Sequence, residues 1–301
     1  MFSKERGSFW LEDKNYIQVD IKVNQEVAEG LGNFLIESGC NGFILEQLEQ
    51  GRSVQLRVYH YNLVEAQTLA SEVLNYLRSL KKMDLDVGEQ KITVKKVRKR
   101  DWEKFWKRDI KPIGIGEKIV VKSSWDRKEF PDKIVIKIDP KMAFGTGRHE
   151  TTRLCIKEIE RLVQPGDRVL DLGTGSGILA ILAAKLGASY VLAVDPDRTA
   201  VDSASENIER NEVEDRVEVK AGTIDDKTPR DYFDLVVANL FKSRILELFD
   251  RIKETVKQGG IIILSGVLDS EREEVSDFFK RKRAKVEKIT QEGGWLCYVL
   301  R

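Results

Sequence analysis

The 301-residue chain is poor in the residues that build metal centres and disulfide frameworks: three cysteines and two histidines. Cys40, Cys155 and Cys297 are odd in number and far apart, a spacing that fits neither a disulfide scaffold nor a zinc site. His60 and His149 are too few for a histidine-rich metal site, so no metal is expected. Proline is also scarce, at six residues, and no low-complexity segment or internal repeat occurs. The run Ile178 to Ala184 is uninterruptedly apolar for only seven residues, far below the ~18 that suggest a membrane span. Charge begins at Lys4, with no apolar signal region before it. These features predict a reduced, cytoplasmic protein with no membrane partner.

What the chain has in quantity is charge. Asp, Glu, Lys and Arg make up 34 %, yet 51 basic and 50 acidic residues leave a net charge of only +1. That balance opposes a general nucleic-acid binder, which is usually strongly basic. The charge is unevenly distributed. Lys91 to Arg108 holds nine basic residues against Asp101 and Glu103, a surplus of +7 that leaves the rest of the chain at −6. A second basic run, Lys280-Arg281-Lys282-Arg283, lies near the C-terminus. The first run is interleaved with Trp102, Phe105 and Trp106, and Trp125 follows. It reads either as a solvated face or as a contact for a polyanion such as RNA or for an acidic partner.

The periodicity changes along the chain. Alternating residues 16–23 predict a half-buried strand, Asn24 a helix cap, and Gly39 a stop after about Ser38. Strands are predicted at 42–47 and 53–59. Asn62 and Glu65 resemble a capping box for a helix to about Leu80, and Ile92 to Val97 forms a last strand. The resulting β-α-β-β-α-β order is that of a ferredoxin-like α+β domain, assigned to 1–97. Residues 98–140 form a connector with strands of its own. Strands are predicted at 168–172, 190–195, 216–220, 234–239 and 261–265, with helices between them, and two more near 285–290 and 295–300. This alternation predicts an α/β domain over 141–301 with a doubly wound, mostly parallel sheet.

Val169 to Ala188 carries the sharpest motif. Asp171-Leu172 closes a strand, Gly173, Gly175 and Gly177 follow, and a helix opens. Glycines let a ligand approach the backbone, and the helix N-terminus offers unpaired N–H groups at the carboxyl end of a strand. Asp195, 22 residues beyond Gly173, ends the next strand, where a carboxylate can accept hydrogen bonds from both ribose hydroxyls. The spacing is G-x-G-x-G rather than the dinucleotide G-x-G-x-x-G, with Ile178 where the last glycine should stand. Asp171 before the loop disfavours a pyrophosphate and suits a cofactor bearing an ammonium and a sulfonium. This D-x-G-x-G-x-G form is similar to the S-adenosylmethionine loop of seven-stranded methyltransferases. A nucleotide-dependent oxidoreductase is the competing class, opposed by the glycine spacing. Asn239 ends the fourth strand in Val236-Val237-Ala238-Asn239. Its carboxamide either orients an acceptor amine as a catalytic residue or merely ends the strand by local backbone bonding.

The segment Asp139-Pro140-Lys141-Met142-Ala143-Phe144-Gly145-Thr146-Gly147-Arg148-His149-Glu150-Thr151-Thr152 resembles the D-P-x-x-A-F-G-T-G-x-H-x-T-T motif of the ribosomal protein L11 methyltransferase family. Val236 to Asn239 matches its V-V-A-N, and Asp101-Trp102-Glu103, Trp106 and Ser124-Trp125 resemble its linker signature. The resemblance spans almost the whole chain. It implies a seven-stranded Rossmann-like methyltransferase domain behind a substrate-recognition domain. It also implies S-adenosylmethionine-dependent N-methylation of lysine side chains or the N-terminal amine of L11, free or on the large subunit. It assigns cofactor contacts to Thr152, Gly173, Asp195 and Asn239. The residues themselves add Asp171, Gly175, Phe144 and Thr146: Phe144 could cover a sulfonium by cation–π attraction or simply pack, and Thr146 supplies a hydroxyl. His149 reads as a structural hydrogen bonder rather than a base. Arg148 and Glu150 depart from the family's Thr and Pro and place a charge pair at the expected lid. Thr174, where the family often has Cys, is expected to be neutral. The departures keep open a related protein-lysine methyltransferase with another substrate. A non-catalytic ribosome-binding module on the same fold is the remaining alternative.

Overall fold

The structure, a computed structural model, describes residues 15–40, 43–48, 53–60, 62–98, 111–139 and 145–301. Phe144, Trp102, Phe105 and Trp106, together with the basic residues from Lys99 to Arg108, lie outside the described residues. The chain forms two units, residues 1–109 and 110–301.

In the first unit, β1 (Asn15–Asn24), α1 (Gln25–Glu37), β2 (Ile44–Gln47), β3 (Ser53–His60), α2 (Leu63–Lys82) and β4 (Lys91–Arg98) follow in order. The antiparallel sheet is ordered β2-β3-β1-β4, the arrangement of a ferredoxin-like domain. Alternation decides its faces. Val19, Ile21 and Val23 of β1 and Val54, Leu56 and Val58 of β3 are buried with Leu31, Leu35, Leu69, Val73 and Leu77 of the two helices. The opposite face is polar and centred on Asp20, which takes Arg57 Nε at 2.6 Å and Lys95 Nζ at 2.9 Å. Asn62 caps α2 by accepting from the Val64 N–H, while Glu65 lies 3.9 Å from His60 Nδ1.

The second unit begins with a three-stranded sheet: β5 (Ile113–Ile115), β6 (Ile119–Lys122) and β7 (Ile134–Lys137). There follow α3 (Glu150–Leu162), β8 (Arg168–Leu172), α4 (Ile178–Lys185), β9 (Tyr190–Asp195), α5 (Arg198–Arg210), β10 (Val217–Ala221), β11 (Phe233–Asn239), α6 (Lys242–Thr255), β12 (Val256–Leu268), α7 (Arg272–Arg281), β13 (Val286–Glu292) and β14 (Trp295–Leu300). The sheet order is β10-β9-β8-β11-β12-β14-β13; the first five are parallel and β14 is antiparallel to both neighbours. Both faces are covered, so the central strands are apolar throughout. Val169, Leu235 and Val237 share one core with α3, α4 and α5; Leu170, Val236 and Ala238 share the other with α6 and α7. α4 is apolar on every side because it is buried on every side. Among the described residues no helix is long and apolar enough to cross a membrane.

Two features differ from expectation. No helix joins β10 to β11. The connection Gly222–Tyr232 contains Pro229, and Asp225 Oδ1 closes a turn by accepting from the N–H groups of Lys227 and Thr228. Turn-forming residues with a single buried apolar anchor, Ile224, cannot sustain an amphipathic helix. The strands of the connector, moreover, share the catalytic unit's core: Ile115, Ile119, Val121, Ile136 and Ile138 pack with Leu154, Ile156 and Ile159 of α3.

Asparagines of α5 fasten that connector. Asn211 Nδ2 donates to Lys137 O at 2.7 Å and its Oδ1 accepts from Lys137 N at 2.9 Å. The pair imitates a strand partner at the edge of β7. Replacing Asn211 leaves both backbone groups without it, so Asn211→Ala should lower unfolding free energy by ~1–3 kcal/mol in urea titration. A change under ~0.3 kcal/mol would show the clamp to be dispensable.

Candidate functional site

The site assembles where β8, β9 and β11 end. Gly173 N and Thr174 N both donate to Val194 O, at 2.8 and 3.0 Å, so the loop turns sharply against β9. Gly173, Gly175 and Gly177 have φ of 75°, 56° and 83°, the left-handed region that favours glycine. Space enforces the same choice at Gly173: a Cβ there would stand 2.4 Å from Leu240 Cδ2. The loop is therefore an open backbone surface leading into the N-terminus of α4, whose cap position, Gly177, supplies no side-chain bond.

Two carboxylates hold this surface. Asp195 is 8 % exposed; its Oδ2 accepts from Gly175 N and its Oδ1 from Asp197 N, both at 2.9 Å. Each oxygen keeps a further lone pair for a hydroxyl. Burial raises its pKa. Asp171 is fully buried beneath the loop. Its Oδ2 accepts from Thr174 Oγ1 at 2.7 Å and from Ala180 N at 3.1 Å, tying the loop to the first turn of α4. Thr174 is thus a brace rather than a neutral replacement. Asp171 Oδ1 is buried with no hydrogen-bond partner among the described residues. Burial pushes the carboxyl up to about 7.

The third wall is Asn239. It pairs in register with Ser265 at the end of β11. Its Nδ2 approaches Thr152 Oγ1 at 3.4 Å, which joins the strand end to the first turn of α3. Thr152 is 1 % exposed. Leu240 then turns under Gly266, where a Cβ would meet Leu240 O at 2.1 Å. Gly145 enters from the opposite side: its carbonyl accepts from Ser176 Oγ at 2.5 Å. Asn207 Nδ2 donates to Ser176 O at 2.9 Å, and Asn207 Oδ1 accepts from Asp139 N at 3.4 Å. Thr146 lies half-buried beside Gly145.

The structure thus brings together Thr152, Asp171, Gly173, Gly175, Asp195 and Asn239. Sequence reading missed Ser176, Asn207 and Asn211. Local sequence gives little signal for them: Ser176 is one hydroxyl in the glycine loop, Asn207 a polar residue on α5 and Asn211 its cap, and their partners lie 31 to 74 residues away. His149 caps α3 by accepting from Thr151 N at 3.3 Å and meets Trp295 edge-on at 5.2 Å; burial lowers its pKa. The expected pairing of Arg148 with Glu150 does not form. Arg148 donates to Lys111 O at 2.9 Å, and Glu150 pairs with Arg153 at 2.9 Å. Helical spacing explains the exchange, since residues three apart on α3 are neighbours.

A ligand for this cradle must present hydrogen-bond donors to Asp195 and tolerate the negative field of the carboxyl group of Asp171 beneath the loop. S-adenosylmethionine, with ribose hydroxyls, an ammonium and a sulfonium, meets those demands. A pyrophosphate would face a carboxylate.

The buried acid has a measurable signature. With an ordinary carboxyl pKa near 3.8 in the unfolded chain and about 7 in the folded one, the native state retains a proton that the unfolded state has lost. Stability from this group is therefore greatest at low pH, falls as pH rises from about 4 to 7, and is level above. Asp171→Asn should remove that slope. Urea titrations at pH 5, 6, 7 and 8 should show the wild type losing ground to the variant up to pH 7; parallel curves would refute the assignment.

The family model described as ribosomal protein L11 methyltransferase (PrmA) matches residues 15–301. The ribosomal protein L11 methyltransferase of Clostridium perfringens is 42 % identical over 233 residues, 76 % of this chain and 74 % of that protein. That of Caldicellulosiruptor saccharolyticus is 34 % identical over 307 residues, 95 % of this chain and 99 % of that protein. Among solved structures, a ribosomal protein L11 methylase from Lactobacillus delbrueckii subsp. bulgaricus superposes with a TM-score of 0.59 at 30 % identity, covering 63 % of this chain and 97 % of its own.

Proposed function

Because the chain belongs to the ribosomal protein L11 methyltransferase family, we propose that it methylates amines of ribosomal protein L11, using S-adenosylmethionine held at the ends of β8, β9 and β11. The observation that carries this reading is the juxtaposition of a loop-bracing buried Asp171, a ribose-ready Asp195 and the carboxamide of Asn239 around one glycine loop. When bound, the cofactor supplies an electrophilic methyl group on a sulfonium.

The chain's own residues do the rest. The N–H groups of the loop and the bare Gly173 and Gly175 receive the adenosine side, with Asp195 accepting from the ribose hydroxyls. Asp171 braces the loop from beneath through Thr174 and Ala180, and Thr146 follows Gly145, whose carbonyl is held by Ser176. Thr152 holds the Asn239 amide nitrogen, which leaves the Asn239 oxygen to accept an N–H of the acceptor amine. A neutral amine held this way has its lone pair aimed away from Asn239, toward the electrophile. His149 is engaged as a helix cap, so the proton of the amine leaves to solvent rather than to a dedicated base. Acceptor amines are lysine side chains or the N-terminal amine. The positive segment Lys91–Arg108 is assigned to transient contact with ribosomal RNA when L11 is presented on the large subunit; exposed Lys91 and Lys96 belong to it.

Incubating the enzyme and labelled S-adenosylmethionine with purified L11 should transfer label and raise the intact mass of L11 in whole methyl increments. No transfer to L11, with label entering another lysate protein, would move the assignment to a related protein methyltransferase. Asn239→Ala should lower kcat ~100-fold, the cost of a misplaced amine; unchanged turnover would remove that residue from the mechanism. Asp195→Ala should weaken cofactor binding by about 1.5–3 kcal/mol, or roughly 10- to 150-fold, in calorimetric titration. Unaltered affinity would refute the ribose contact.

A further inference from the structure

The edge of the catalytic sheet opposite the site carries a second concentration of positive charge that methyl transfer does not use. The site sits at the carboxyl ends of the strands, so helices that return along the sheet finish at the other edge. α6 finishes there with Lys253, and Lys257 follows at the start of β12. α7 ends there with Lys280 and Arg281, and Lys282, Arg283 and Lys285 lie in the turn into β13. The two groups meet: Lys253 Nζ donates to Lys282 O at 3.1 Å. A cleft of about 200 Å³ lies beside them, with Val256, Ile262, Ala284 and Leu300 as its apolar floor and Lys253, Lys257 and Arg301 among its polar lining. Gly259 has φ 77° and open space where a Cβ would stand, so backbone is exposed to the cleft. From Gln258 to Ser265, the register partner of Asn239, the strand runs seven residues, about 23 Å.

The acids at this edge are fewer than the cations. Asp250 pairs with Lys282 at 2.5 Å, Glu287 with Lys285 at 3.5 Å, and Asp234 with Lys257. Glu254 pairs with Arg230, and Asp277 lies one turn before Arg281 without an ion pair. Among the described residues, Lys253, Lys280, Arg281 and Arg283 have no carboxylate within 4 Å. Arg283 also occupies the left-handed position just past α7, at φ 54°, where glycine or asparagine is favoured. A cation stands there against local backbone preference, and such a broken local rule points to use.

The composition selects the partner. The exposed large apolar side chains among the described residues are Leu63, Val64, Met83, Leu85 and Phe241, none of them on these elements, so the apolar face that a membrane binder needs is missing. No exposed aromatic is available to stack single-stranded bases: Phe279 is buried and Phe278 is half-buried with Lys282 5.7 Å from its ring centroid. Cations without a carboxylate partner beside a shallow cleft, with no exposed large apolar or aromatic side chain on these elements, match a phosphate backbone. We propose that this edge docks on the backbone of double-stranded ribosomal RNA, holding the enzyme on the large subunit with its strand-end site free. The proposal rests on the reading that the substrate is a ribosomal protein.

The triple variant Lys280→Glu, Arg281→Glu, Arg283→Glu tests it, alongside Lys280→Gln, Arg281→Gln, Arg283→Gln, which removes charge without reversing it. Binding to purified large subunits and to a 16-base-pair RNA duplex is measured across a salt series, and methylation of isolated L11 in parallel. The account expects both variants to bind duplex more weakly, the reversal by 10-fold or more, with the slope of log affinity against log salt flatter by about 2–3. Methylation of isolated L11 should stay within twofold of wild type. Unchanged duplex affinity and salt slope in either variant would overturn the proposal, as would tighter wild-type binding to phosphatidylserine vesicles than to the duplex. A wild type that binds duplex through these residues but cannot methylate isolated L11 would instead defeat the substrate assignment.

Discussion

The site depends on one buried carboxyl group. Asp171 ends the central strand β8, where no water reaches it, and its Oδ2 grips both Thr174 Oγ1 and Ala180 N. That fork fixes the glycine loop relative to α4 from beneath. Asp195 fixes the same loop from the side by accepting from Gly175 N. With both acids in place, three left-handed glycines can hold an open backbone surface without side chains to support it. The arrangement costs desolvation of a carboxyl, the physical cause of the raised pKa of Asp171, and it leaves Oδ1 unsatisfied.

A second layer ties the loop to distant sequence. Ser176 holds Gly145, Asn207 holds both Ser176 and Asp139, and Asn211 holds Lys137 on both its backbone groups. The end of α5 and its cap Asn211 thus clamp the glycine loop and the strand β7. The three-stranded connector sheet is part of the same rigid body because its isoleucines enter the core beside α3.

These two layers differ in how readily sequence reveals them. Gly173, Asp195 and Asn239 are legible because each ends a strand in a contiguous motif, and strand ends in a parallel sheet converge by topology. The order of elements and the fold class of both units follow from alternation and turn residues, whereas the strand orders come from the structure. Asn207 and Asn211 are not legible, since a polar residue on or just past an amphipathic helix looks the same whether it faces water or a backbone 74 residues away, and Thr174 and Ser176 look like ordinary loop hydroxyls. The absent helix between β10 and β11 was masked by the expectation of regular alternation, although Asp225 and Pro229 signal turns. Arg148 and Glu150 were paired by sequence proximity, whereas helix geometry gives Glu150 to Arg153. Net charge was the least informative quantity, because +1 conceals separate basic segments in a largely acidic chain.

The central claim is that the two acids, the glycine loop and Asn239 form one cofactor cradle. A crystal structure of the chain with S-adenosylhomocysteine tests it most directly. The ribose hydroxyls should lie on Asp195, the adenosine should rest against the Gly173–Gly175 backbone, and the sulfur should face Asn239. A ligand bound elsewhere, or bound at the strand ends with its ribose away from Asp195, would contradict it.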